Sequence, residues 1–165
     1  MASRAVNVFV SSLLLGLSVT SFARIGETMD KAVKRYGPVV HHDTIQGEEL
    51  YAFKKHGYDI VAHFHEGKID NIMYGKESRE KLSKEEVNTF LEANNGGRPM
   101  KDLGGDFWEA KNGTYATLTK LGGIWHLDIK GPAYDKRNID AYAAEEKAAQ
   151  QAEKVRKEKA NLKGF

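Results

Sequence analysis

Residues 58–74 read YDIVAHFHEGKIDNIMY, and this stretch decides the fold. Apolar and polar side chains alternate along both arms, and Glu66-Gly67-Lys68 breaks the run. A period of two puts Ile60, Ala62 and Phe64 on one side of a strand and Val61, His63 and His65 on the other. Two such runs around a two-residue break form an antiparallel hairpin. Upstream, Lys55-His56-Gly57 marks a second turn, so the reading is a three-stranded meander over about 49–54, 58–65 and 68–74.

Before the meander the period changes. Met29, Ala32, Val33 and Tyr36 recur at i, i+3, i+4 and i+7, with Asp30, Lys31, Lys34 and Arg35 between them. That spacing predicts an amphipathic helix, with Thr28 at its N-cap and Gly37-Pro38 as its stop. The same order then returns. Ser83-Lys84-Glu85-Glu86 is a capping box, Leu82 and Val87 are placed as a hydrophobic staple, and Asn94-Asn95-Gly96-Gly97 ends the second helix. Strands are expected over 107–110, 114–119 and 124–130, turning at Asn112-Gly113 and Gly122-Gly123. Trp125 is read as a core plug.

The expected fold class is α+β, with two halves of one helix plus a three-stranded antiparallel meander each and both helices on one face of the sheet. The halves are 24–78 and 79–131 of a domain spanning 24–131. Local periodicity leaves open whether their strands join into one sheet. From 132 to 165 the composition shifts to Ala, Glu, Lys and Gln, which predicts a solvated C-terminal helix with a thin stripe of Ala148, Ala152, Val155 and Leu162.

Ahead of the domain, Arg4 is followed by the largely apolar run Val6 to Val19 and by Ser21-Phe22-Ala23. This pattern predicts a secretory signal peptide over 1–23, because the apolar core is shorter than the about 20 residues a membrane span needs. The mature chain is then expected to begin at Arg24 and to lie in the periplasm or outside the cell, and the short leader reads as bacterial. The sequence has no cysteine, so the domain folds by burial alone and carries no lipidated cysteine. The net charge of +2 disfavours nucleic-acid binding by bulk charge.

The chain shows no Gly-x-Ser-x-Gly elbow, phosphate loop, His-Glu-x-x-His or thiol nucleophile. No catalytic residue and no cofactor are expected, and the pairs Glu48-Glu49 and Glu85-Glu86 read as turn and helix-start carboxylates. Histidines are the candidate chemistry. His63 and His65 share a strand face, and His41, His42 or a carboxylate such as Asp59 is placed to complete a metal site. Asp59, His63 and His65 are therefore the candidate binding residues, and His63, His65, His41 and His42 the candidate metal ligands.

Arg24-Ile25-Gly26-Glu27-Thr28, Arg35-Tyr36-Gly37 and the meander with its Glu66-Gly67-Lys68 turn carry a resemblance. Over roughly residues 24 to 130 the chain resembles small exported bacterial proteins that open with this segment after the leader. Its element order is similar to that of the beta-lactamase inhibitory protein and of the BamE outer-membrane assembly lipoproteins, without the cysteines of either. The resemblance implies a non-catalytic contact scaffold with one sheet face open to a partner. The expected function is thus an exported binding or envelope-associated module that contacts a protein or cell-envelope partner through that face. The competing expectation is a metal-binding protein or metal-dependent hydrolase centred on His63 and His65. A third expectation gives residues 134–165 a role in oligomerisation.

Overall fold

The computed structural model describes residues 24–45 and 47–162; the expected leader at 1–23 lies outside them. Helix α1 (Met29–Tyr36) buries Ala32 and Tyr36. Thr28 occupies its N-cap in extended conformation without a side-chain hydrogen bond. Gly37, at φ 94°, ends the helix and donates its N–H to the Val33 carbonyl at 2.8 Å, a conformation that suits glycine. Helix α2 (Lys84–Asn94) has the complete capping box: Ser83 Oγ accepts from the Glu86 amide, and Glu86 accepts from the Ser83 amide at 2.6 Å. Leu82 and Val87 are both buried beside it.

Each half carries four strands, because an outer edge strand joins each expected meander. The first half contributes β1 (His41–Ile45), β2 (Glu48–Lys55), β3 (Tyr58–His65) and β4 (Lys68–Lys76). The second contributes β5 (Lys101–Gly104), β6 (Phe107–Glu109), β7 (Tyr115–Leu121) and β8 (Ile124–Lys130). Every residue of β1 and β5 is exposed, so neither strand has an inward face to produce alternation in the sequence. The turns His56-Gly57 and Glu66-Gly67 have positive φ at both positions, as the right-handed twist of a two-residue hairpin requires. His56 is therefore a turn residue.

All eight strands form one continuous antiparallel sheet in the order β1-β2-β3-β4-β8-β7-β6-β5. The halves meet through their last strands, where Ile72 pairs with Ile129, Met73 with Asp128 and Tyr74 with Leu127. Both helices lie on one face. Tyr74 stacks on Phe90 of α2 at 4.1 Å between centroids, and its hydroxyl lies 3.2 Å from that of Tyr36 in α1. Phe53, Ile60, Ile69, Ile72, Leu127 and Ile129 complete this core, and Trp125 packs partly buried against it. Helix α3 (Tyr134–Leu162) follows β8. No helix among the described residues is long and apolar enough to cross a membrane.

Candidate functional site

Strand alternation sorts the opposite face into rows, because paired residues on neighbouring strands point the same way. One row runs Ala52, Val61, Met73, Asp128, Thr117 and Phe107 across six strands, each residue the register partner of the next. It is apolar apart from Asp128 and Thr117. Ala52, Val61 and Met73 are half-buried, while Phe107 near one edge is 48% exposed. The next row runs Leu50, His63, Asn71, Lys130, Tyr115 and Glu109 and is mostly polar.

At the polar row the register of β3 and β4 shifts between His63 and Phe64, leaving Asp70 as the extra residue of a bulge. Arg137, in the first turn of α3, reaches this point. Its guanidinium lies 2.8 Å from Glu48 Oε1 and also pairs with Asp70. Tyr134 sets its ring edge-on to His63 at 6.1 Å, with Lys130 over the ring at 5.5 Å. Lys130 in turn lies 3.3 Å from Asp128, which accepts from Asn71. Burial pushes the Glu48 carboxyl up, but the hydrogen bonds from Arg137 and His63 outweigh it and hold the group below the usual carboxylate range. For Asp70 burial wins over Arg137, and its pKa is raised.

Asp59, His63 and His65 share one face of β3, as a period of two requires, and each meets a different neighbour. His63 faces Glu48, with Nδ1 3.5 Å from Oε2, and its Nε2 is buried without a hydrogen-bond partner. His65 is exposed, 4.0 Å from Glu66. Asp59 is taken up by Lys54 at 2.9 Å. His42 shares the helix face with its register partner Tyr51, stacks on it at 4.3 Å and is bonded to Glu49, so the sheet divides it from His63. His41 is an exposed edge residue. Among the described residues no group of three or more His, Asp or Glu is arranged to hold a metal ion. Glu48 and Glu49, adjacent in sequence, face opposite sides: Glu49 binds His42, and Glu48 is the Arg137 partner that the turn reading did not foresee.

Glu48, Asp70, Tyr134 and Arg137 escape local sequence reading because Arg137 stands 89 residues from Glu48. A bulge and a tertiary ion pair leave no short-range pattern. No family model, curated protein or solved structure matches this chain, so the site is read from its own residues.

Proposed function

We propose that this chain is an exported, non-catalytic module that holds a protein partner in the cell envelope on the sheet face opposite α1 and α2. One observation carries the reading: the apolar row from Ala52 to Phe107 lies on a face where neither α1 nor α2 packs. The described side chains of α3 beyond Asn138 do not substitute for them, since they are exposed, Ile139 at 66%. The apolar run Ala52, Val61 and Met73, continued beyond Asp128 and Thr117 by the exposed Phe107 and rimmed by charge such as Lys54 with Asp59 and Glu77, has the composition of a contact surface. Export rests on the leader pattern at 1–23.

The test is site-directed photocrosslinking in the native cell, with the reactive residue at Val61 on the apolar row or at Val33 on α1. The reading predicts one dominant protein adduct from position 61 and none of that species from position 33. Equal labelling from both positions, or none from position 61, overturns it. The export clause is checked by intact mass: the chain recovered outside the cytoplasm begins at Arg24, whereas a full-length chain confined to the cytoplasm refutes export.

A further inference from the structure

We infer that α3 is a strap closed over the polar row of the partner face, and that it leaves in exchange for a cationic side chain supplied by the partner. This rests on the proposed face-binding reading and adds its regulation. The described residues of α3 contribute nothing to the buried core. Its hold on the sheet comes from the first turn: Arg137 on Glu48 and Asp70, Tyr134 against His63, and Asp135 3.9 Å from Lys130. Beyond Asn138 the helix is exposed wherever its side chains are described. The attachment is thus polar and local, unlike that of α1 and α2, which bury aromatic rings.

The receiving groups do not depend on α3. Glu48 opens β2 and Asp70 is fixed by the bulge in β4, so both carboxylates stay in place when the helix lifts. The pivot is equally defined. Gly131 donates its N–H to the Asp70 carbonyl at 2.7 Å, and a Cβ there would lie 3.1 Å from that oxygen and from Ile25, so the chain is pinned up to Gly131. Pro132 and Ala133, both exposed, link that fixed point to α3.

Lifting α3 alone hydrates Glu48 and Asp70. A partner seated over them would bury two carboxylates of like sign, which is unfavourable unless a cation accompanies them. A guanidinium is the cation this site already holds, since Nη2 of Arg137 lies against both Glu48 Oε1 and Asp70 Oδ2. The occupant of the vacated end is therefore an arginine-bearing segment of the partner protein.

Because the chain has no cysteine, paired spin labels go only where they are placed, at Lys120→Cys on β7 and Gln150→Cys on α3 in the full chain. The wild-type background is expected to give one distance, and Arg137→Ala a broad distribution with tryptophan fluorescence unchanged. Arg137→Lys, which keeps the charge without the guanidinium, falls between them. In parallel, agmatine is titrated as a bare guanidinium probe while the His63 ring is followed by NMR. The strap predicts saturation at least about tenfold tighter in Arg137→Ala than in the wild type, since a closed strap lowers apparent affinity by the fraction open. Adding Glu48→Gln and Asp70→Asn abolishes it. An unchanged distance in Arg137→Ala overturns the strap, and a released helix whose vacated site ignores agmatine overturns the exchange. Neither measurement involves the partner, so failure here leaves the crosslinking result to judge the face-binding reading separately.

Discussion

At the scale of single residues, Glu86 joins α2 of the second half to β3 and β4 of the first. Its carboxylate caps α2, accepts from the Tyr58 hydroxyl at 2.6 Å and pairs with Lys76 at 2.9 Å. Burial pushes its pKa up, but the bonds from Tyr58, Lys76 and the Ser83 amide prevail and hold it at about 2. A carboxyl lowered in the folded state stabilises above its unfolded value and loses that contribution as pH falls toward the folded one. The melting temperature is therefore expected to fall between about pH 4.5 and 2, the window set by those two values. Glu86→Gln should lie below the wild type at pH 7 and converge with it in acid. Parallel curves at all pH values would show that Glu86 is not the titrating group. The capping role of Glu86 was legible from Ser-x-x-Glu spacing, whereas its bonds to Tyr58 and Lys76 were not, since they depend on how α2 crosses the sheet.

At the scale of elements, α2 and α3 are held by different forces. Ser83→Ala removes the oxygen that accepts the Glu86 amide and is expected to cost about 1 kcal/mol, read from chemical denaturation. Ending the chain after Ala133 removes a helix whose described residues include no buried apolar side chain, so a cooperative melt of the remaining sheet should persist. Loss of that melt would show that α3 is structural. The sequence-based reading of α1, α2 and the inner strands succeeded because each buries one face and so carries a period of 3.6 or 2. The all-exposed β1 and β5 carry neither, so His41-His42 gave no sign of opening an edge strand. The solvated composition of α3 was plain, but its anchoring by Arg137 was not.

At the scale of the whole molecule, the β4–β8 pairing makes two similar halves into one sheet. Both tryptophans, Trp108 and Trp125, lie in the second half, so their fluorescence reports that half alone. Phe53, 1% exposed, lies in the first half. Phe53→Ala is expected to cost about 3–5 kcal/mol and to shift the tryptophan transition as far as the far-ultraviolet circular dichroism transition. A tryptophan transition left in place would mean that the halves unfold independently. The joining of the halves was not legible, because a pairing between strands distant in sequence is written in tertiary packing and not in local period. The central claim is also a property of the whole sheet: its apolar row is a partner surface. The most direct test is to place charge there, with Val61→Glu and Met73→Glu together, and compare it with Val33→Glu on the helix face. The account predicts that the row variant loses the crosslinked partner while its far-ultraviolet spectrum and cooperative melt persist, and that Val33→Glu retains the partner. Retention of the partner by the folded row variant would contradict the account.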